Sequence, residues 1–232
     1  MTSQHITLNA LDGSGSFTAY LALPPSGRGP GIVLAQEIFG VNATMRQVAD
    51  QYAEEGYVVL VPDLFWRQQP GIQLTDQTEA EWARAFELFN GFDLKKGVDD
   101  LNATIETLRK QKGCTGKVGT VGFCLGGRLA YLTATRTRAD AAVSYYGVML
   151  TEHVKEPVEA PLMLHIATED EYVPKDQQAK IHAALKSNRK VTIHDYKGQN
   201  HAFARVGGKH FDKASADLAR KRTLDFFKAN LG

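Results

Sequence analysis

The sequence predicts an α/β fold, in which a largely parallel central sheet carries helices on both faces. Short apolar runs without alternation, such as residues 31–35, are typical of strands that are buried on both faces. Along the chain these runs alternate with longer segments of helical periodicity, as the crossover connections of a parallel sheet require. The length of 232 residues fits one such unit, so we expect a single domain over residues 1–232.

The elements can be assigned in order from these patterns and from the residues that end them. A hairpin is predicted first, because two partly alternating segments flank the turn-rich residues 11–15. Gly56 and Gly113 end two of the helices, and Pro62 closes a strand. The predicted strands cover residues 4–10, 16–23, 31–35, 57–61, 116–121, 139–145, 161–167 and 191–196, and the predicted helices cover residues 42–55, 79–89, 94–112, 126–135, 175–186 and 213–229.

Residues 63–92 form a segment that is longer than a crossover needs and is rich in aromatic side chains. We interpret this segment as an excursion over the carboxyl-end edge of the sheet, where α/β proteins place their ligands. Residues 63–92 are therefore expected to line the active-site edge.

Composition and charge exclude several classes of protein. The chain has 27 Lys and Arg against 26 Asp and Glu and no basic stripe, so nucleic acid and anionic membranes are not expected as partners. No apolar run approaches the roughly eighteen residues of a membrane span, and the first residues lack the features of a secretion signal. Two cysteines cannot form a disulfide framework. We therefore expect a cytoplasmic protein, and a monomer by default because no apolar surface helix is evident.

Cys124 lies in the motif with the clearest chemistry. Residues 122–127 read Gly-Phe-Cys-Leu-Gly-Gly, directly after a predicted strand and at the start of a predicted helix. This is the pattern of a nucleophile elbow with cysteine in the usual place of serine. The turn is so tight that side chains two residues either side of the nucleophile would collide, and the helix N-terminus favours a thiolate. The alternative is a small buried cysteine, which is the interpretation we prefer for Cys114 because it has no partner motif.

A thiol nucleophile needs a base and a group that orients the base. In hydrolases with this elbow, the order along the chain is nucleophile, acid, histidine. Asp170 follows the predicted strand 161–167 and His201 follows the strand 191–196, so both are expected at the same sheet edge as Cys124. The alternative is that Asp170 faces water and His201 is structural. We interpret the remaining histidines as structural or solvated: His5, His153, His165, His182, His194 and His210.

Glu37 follows the first buried strand and so faces the same edge. A carboxylate there could serve as a second base for the thiol, or it could pair with an arginine, for which Arg205 is a candidate. These two interpretations are compatible. The same loop supplies the second oxyanion donor in hydrolases of this kind, here the backbone N–H of Ile38 beside that of Leu125.

Further motifs lie at residues 35–42, 61–65, 67–68, 121–127 and 145–147, at Asp170 with residues 173–174, and at His201 with residues 203–205. Together they resemble the dienelactone hydrolase family, the carboxymethylenebutenolidases, over nearly the whole chain. The resemblance implies an α/β-hydrolase fold, a Cys124–His201–Asp170 triad and an oxyanion hole at Ile38 and Leu125. It also implies that Glu37 helps to draw the proton from a thiol that rests in its neutral form, and that the reaction is hydrolysis of dienelactone, an enol-lactone, to maleylacetate. No metal or organic cofactor is expected for this chemistry, and no metal-ligand spacing is visible in the sequence.

The sequence departs from the family where the substrate carboxylate is bound. The family uses two arginines, of which one matches Arg205 and the other aligns without gaps to Trp82. Arg84 lies two residues further on, which is roughly 200° around a helix, so it is no simple substitute. Ala202 also replaces a hydroxyl residue after the histidine. We therefore predict a pocket less suited to small carboxylated lactones and more open to apolar esters.

The residues expected to bind substrate are Arg205, Trp82, Phe86, Phe89 and Tyr146. The leading hypothesis is a cysteine-dependent hydrolase of a lactone or carboxylic ester. One alternative is a general carboxylesterase that acts on a more apolar ester. Another is a catalytically silent small-molecule binding protein of the same fold, which would have no need of all four predicted catalytic side chains. A redox role for Cys124 is a further alternative, although no resolving cysteine stands close to it in sequence.

Overall fold

The strands of the central sheet are β1 (Thr2–Asn9), β2 (Ser16–Leu23), β3 (Gly29–Ala35), β4 (Val58–Pro62), β5 (Cys114–Phe123), β6 (Ala141–Tyr145), β7 (Leu162–Ala167) and β8 (Val191–Tyr196). They are taken from a computed structural model, which describes residues 2–232. Their order across the sheet is β1-β2-β4-β3-β5-β6-β7-β8. The β1–β2 and β2–β4 ladders are antiparallel, whereas every ladder from β4 to β8 is parallel.

The helices are α1 (Ala43–Glu54), α2 (Glu79–Asn90), α3 (Leu94–Lys110), α4 (Leu125–Arg136), α5 (Lys175–Leu185) and α6 (Lys213–Leu231), with a short 3₁₀ turn at Leu150–Glu152. Side-chain oxygens cap four of them at the N-terminus: Asn42 for α1, Thr78 for α2, Asp93 for α3 and Asp212 for α6. Within residues 2–232, no helix is both long enough and apolar enough to cross a membrane.

Helices cover both faces of the sheet, as the two central strands show. A Cβ at Gly31 of β3 would lie 2.9 Å from Leu108 of α3. Gly31 is paired with Val118 of β5, and the next residue, Gly119, points to the opposite face. A Cβ at Gly119 would lie 2.8 Å from Phe227 of α6. α3 and α6 therefore pack on opposite faces, and the glycines allow both helices to approach the sheet closely.

The predicted elements are all present, and their ends differ from the prediction by two residues at most. β6 begins later than predicted because the carboxylate of Asp140 accepts from the backbone N–H of Val118 and pairs with Arg109, which makes residues 139–140 part of the connection. β5 is longer than predicted because it pairs with β6 as far as Phe123. The predicted α/β class, with a largely parallel sheet and helices on both faces, is confirmed.

Candidate active site

Cys124 lies between β5 and α4 in a turn that only small neighbours permit. Its backbone adopts φ 57° and ψ −114°, a strained conformation for a residue with a side chain. A Cβ at Gly122 would lie 2.0 Å from the carbonyl oxygen of Gly126, and a Cβ at Gly126 would lie 2.2 Å from the carbonyl oxygen of Ala35. Side chains two residues either side of Cys124 would therefore collide with the backbone, as the sequence predicts. The turn presents the sulfur at the carboxyl-end edge of the sheet.

The backbone N–H groups of Ile38 and Leu125 are the predicted oxyanion donors. Ile38 belongs to the loop after β3, and Leu125 is the first residue of α4. Among the described residues, neither N–H donates a hydrogen bond to another protein group. Both N–H groups are thus free to donate to a negatively charged substrate oxygen, and the dipole of α4 stabilises the same charge.

His201 and Asp170 lie in the loops after β8 and β7, and their side chains are in direct contact. Nδ1 of His201 is 2.9 Å from Oδ2 and 3.0 Å from Oδ1 of Asp170. The carboxylate is itself held, because Oδ1 accepts from the backbone N–H of Tyr172 at 2.8 Å and of Val173 at 3.2 Å. Nε2 of His201 is buried without a hydrogen-bond partner and faces the cavity that contains Cys124. This arrangement leaves Nε2 free for a reacting group.

The charges around His201 favour its protonated form. Burial opposes protonation, but the negative charge of a Cys124 thiolate, together with the hydrogen bond and charge of Asp170, outweighs it and raises the pKa of His201 to about 10. A positive imidazole in turn stabilises a thiolate. Cys124, His201 and Asp170 therefore form one electrostatic unit at the sheet edge.

Glu37 and Arg205 form a buried ion pair beside this unit. Nε of Arg205 donates to Oε2 of Glu37 at 2.8 Å, and Nη2 donates to Oε1 at 3.2 Å. Nη1 of Arg205 donates to Oδ2 of Asp76 at 2.8 Å. The guanidinium also lies over the ring of Phe39, 4.9 Å from its centroid. The sequence analysis predicts this pairing of Glu37 with Arg205 as one of two compatible roles for Glu37. It makes no prediction for the contact with Asp76.

A cavity of about 150 Å³ opens between these groups, and nearly all of its lining is apolar. It is lined by Ile38, Trp82, Phe86, Phe89, Cys124, Val148, Met149, Tyr172, His201 and Arg205. The aromatic side chains from residues 63–92 thus lie at the carboxyl-end edge of the sheet. A larger groove of about 640 Å³ lies between Glu55 and α6, far from these groups, and is lined mainly by charged side chains.

Neither Tyr146 nor Arg84 is among the residues that line this cavity. Tyr146 was expected to contact substrate, but its ring packs edge-on against His201, at 5.0 Å between centroids, and against Phe203, at 5.7 Å. Tyr146 therefore packs against the imidazole, and its backbone has a positive φ of 37°. Its contact with substrate stays a prediction. Arg84 bonds to Gln69 and Glu87 on the surface of α2, in agreement with the expectation that it does not replace the second arginine.

Several lining residues were missed in the sequence. Val148 and Met149 follow β6, and Tyr172 follows β7, two residues after Asp170. The rule that ligands bind at the carboxyl ends of parallel strands could have found them, since each stands within five residues of such an end. Within residues 2–232, no group of three or more His, Cys, Asp or Glu side chains is placed to hold a metal ion.

Comparison with known proteins places the chain among hydrolases. Residues 17–231 match the sequence model described as "Dienelactone hydrolase family". A relative from Azospirillum brasilense, named "Putative carboxymethylenebutenolidase", is 47% identical over 222 residues, which are 94% of this chain and 95% of the relative. The carboxymethylenebutenolidase of Pseudomonas putida is 39% identical over 228 residues, which are 97% of this chain and 96% of the relative.

A similar fold is known from a crystal structure, "Putative Dienelactone Hydrolase from Klebsiella pneumoniae subsp. pneumoniae MGH 78578". It superposes with a TM-score of 0.85 at 24% identity, over 98% of this chain and 99% of that one. At this identity the likeness shows the fold alone. That fold is the α/β-hydrolase fold expected from the sequence.

Proposed function

The chain belongs to the dienelactone hydrolase family, and on that premise we propose that it hydrolyses an enol-lactone or a carboxylic ester with Cys124 as the nucleophile. Membership of this family supports the hydrolysis of an ester or lactone bond. One observation carries the choice of nucleophile: the elbow presents Cys124 in the same cavity as the unpartnered Nε2 of His201, whose Nδ1 is held by Asp170.

In the proposed first half-reaction, the Cys124 thiolate attacks the carbonyl carbon of the substrate. A C–S bond forms, and the carbonyl oxygen becomes an oxyanion that accepts from the N–H groups of Ile38 and Leu125. Such a donor is typically worth about 2.7–4 kcal/mol in the transition state. The oxyanion then collapses, the C–O bond to the leaving group breaks, and a thioester remains. An alkoxide takes the proton of His201 as it leaves, and an enolate can leave as the anion and take that proton afterwards, so that Nε2 is unprotonated again in either case.

In the second half-reaction, Nε2 of His201 takes a proton from a water molecule, which attacks the thioester carbonyl. The same oxyanion donors stabilise the new tetrahedral intermediate, and the thiolate leaves as the acid is released. The sum is one ester and one water consumed, and one acid and one alcohol or enol formed. Asp170 keeps the proton of the neutral imidazole on Nδ1, so that Nε2 is the nitrogen that reacts.

Glu37 and His201 are alternative acceptors for the proton of a neutral thiol. Both oxygens of Glu37 accept from Arg205, so a proton on Glu37 would remove the charge that pairs with this arginine. Nε2 of His201 has no such partner to leave. We propose His201 as the acceptor in this arrangement and Glu37 as an acceptor only when Arg205 is engaged elsewhere.

Two substrates are candidates. The family and the names of its relatives favour dienelactone, with maleylacetate as product. The apolar lining, with Trp82 at the place of the second arginine, favours a more apolar ester. We further propose that the protein acts on such small molecules as a cytoplasmic monomer, without nucleic-acid or membrane partners.

Turnover of cis- and trans-dienelactone beside p-nitrophenyl acetate, followed by ultraviolet absorbance with Cys124→Ala as control, tests the proposal. Fast opening of dienelactone that is lost in the variant would support the first substrate. Turnover of the simple ester alone, also lost in the variant, would support the second. Activity that survives in Cys124→Ala would contradict the proposed nucleophile, and no activity on any substrate would favour a binding protein.

A further inference from the structure

We propose that Asp76 sets the charge selectivity of this site. Its carboxylate accepts the hydrogen bond from Nη1 of Arg205 that a substrate carboxylate would otherwise accept. The cavity would then select neutral esters with an apolar acyl group over esters that carry a carboxylate. This inference rests on the proposed hydrolysis and decides between its two candidate substrates.

Arg205 is the one arginine or lysine among the residues that line the cavity, and carboxylates already neutralise its charge. Each of its three guanidinium nitrogens donates to a carboxylate: Nε and Nη2 to Glu37, and Nη1 to Asp76. Two carboxylates around one guanidinium leave a net charge of −1. An incoming carboxylate would have to displace one of them or bind against this negative charge.

Asp76 is held in place by the segment that carries it. Leu74 donates its backbone N–H to the carbonyl of Phe39 at 2.8 Å, and Nδ2 of Asn42 donates to the carbonyl of Leu74 at 2.8 Å. A Cβ at Gly40 would lie 2.0 Å from the carbonyl oxygen of Ile72, so the segment lies directly against the loop after β3. These contacts of the neighbouring backbone therefore restrict the position of the Asp76 carboxylate.

Trp82 links this acid to the wall of the cavity. Its indole N–H donates to the backbone carbonyl of Asp76 at 3.0 Å, while its ring lines the cavity and packs against Phe39 and Phe86. The residue that aligns with the second arginine of the family thus removes a positive charge and also orients an acid toward the remaining arginine. Both effects disfavour an anionic substrate.

The mouth of the cavity agrees with a neutral, apolar substrate. Phe86, Met149 and Tyr172 all line the cavity and are 38%, 37% and 41% exposed. Large apolar side chains that remain exposed together at a cavity mouth provide a surface for an apolar ligand group. An acyl chain that extends to the mouth of the cavity would therefore contact hydrophobic side chains.

The test compares two esters whose acyl chains have equal carbon number, p-nitrophenyl pentanoate and the anionic mono-p-nitrophenyl glutarate. Cys124→Ala supplies the background rate. We expect the wild type to prefer the neutral ester. Asp76→Asn keeps the shape but removes the charge, and we expect it to raise the ratio of anionic to neutral kcat/KM by about tenfold, through a lower KM for the glutarate ester.

Asp76→Glu should restore the ratio of the wild type, because it restores the charge. Glu87→Gln is the matched control, since it removes one negative charge from the exposed Arg84–Glu87 pair on α2 and should leave the ratio unchanged. If Asp76→Asn does not fold, the wild type alone remains informative: added salt should raise the relative rate of the glutarate ester by screening the negative site.

A wild type that prefers the glutarate ester would overturn the inference, as would an unchanged ratio in Asp76→Asn together with a ratio that is insensitive to salt. In both cases turnover of the neutral ester would leave the proposed function intact. If neither ester is hydrolysed faster than by Cys124→Ala, the proposed function fails, and the inference fails with it.

Discussion

Arg205 lies between two carboxylates, and its side chain is only 10% exposed. A buried charge that loses its partner is strongly destabilising, because the desolvated group is left without compensation. We therefore expect Arg205→Met to lower the free energy of unfolding by about 3–5 kcal/mol, since it leaves Glu37 buried and unpaired. Urea unfolding at pH 7 measures this change.

Two variants make the result specific to the buried pair. Glu37→Gln combined with Arg205→Met should recover most of the loss, because the buried charge is then absent. Arg84→Met removes an exposed pair with Glu87 and should change the stability by less than about 1 kcal/mol. Equal losses of unfolding free energy in Arg205→Met and Arg84→Met would show that the buried ion pair stabilises the fold no more than the surface pair does.

At the scale of the elements, the elbow between β5 and α4 depends on glycine for steric reasons. A methyl group at Gly126 would meet the carbonyl oxygens of Ala35 at 2.2 Å and Gln36 at 2.5 Å, and both belong to the fixed backbone around the end of β3. We expect Gly126→Ala to destabilise the fold by about 3 kcal/mol or more and to reduce kcat/KM strongly, because the turn must shift to relieve the overlap.

Gly91→Ala is the control for this prediction. Gly91 has a φ of −86°, and a methyl group there would meet mainly the far end of the Gln68 side chain, which can move. We expect a small loss of stability and near-normal activity. A Gly126→Ala variant with the stability and activity of Gly91→Ala would be inconsistent with so tight an elbow.

At the scale of the whole molecule, a buried polar network joins the last strands of the sheet to α6. His165 hydrogen-bonds through Nδ1 with the hydroxyl of Tyr196 at 2.7 Å and through Nε2 with the hydroxyl of Thr223 at 3.0 Å, which in turn contacts the hydroxyl of Tyr145 at 2.7 Å. This histidine was interpreted as structural in the sequence. Burial, and then the charges of His194 and Arg222, lower the pKa of His165 well below its ordinary value.

The lowered pKa of His165 predicts a loss of stability in acid. His165 is neutral in the folded protein, while in the unfolded chain it binds a proton below about pH 6.5, so acid favours the unfolded state by up to about 1.4 kcal/mol per pH unit. We expect the free energy of unfolding of the wild type to fall from pH 7 to pH 5 more steeply than that of His165→Asn. His182→Asn alters an exposed histidine and should follow the wild type. Parallel curves for His165→Asn and the wild type would refute this role.

The sequence was sufficient to predict the elements, and the placement of Asp170 and His201 at one edge of the sheet, for local reasons. Hydrophobic period, glycine stops and the elbow are all written within short stretches of chain, and Asp170 and His201 each stand just past a recognisable strand. The position of β4 between β2 and β3 was not predictable in the same way, because strand order depends on contacts between distant segments.

The contacts of Asp76 and Tyr146 could not be predicted from the sequence, because each joins residues that are far apart in the chain. Asp76 looks like a solvated loop acid until Arg205 is placed beside it, 129 residues further on. Tyr146 is predicted to bind substrate, and its ring contact with His201 joins residues from the loops after two different strands. Local pattern predicts where a side chain is attached, whereas long-range packing determines what it contacts.

The central claim, that Cys124 carries the acyl group, is tested most directly by trapping the intermediate. Wild-type protein turning over p-nitrophenyl pentanoate is quenched in acid, digested and examined by mass spectrometry. We expect a pentanoyl adduct on the peptide that contains Cys124, and no adduct in Cys124→Ala. An adduct on another residue, or continued hydrolysis by Cys124→Ala, would contradict the account.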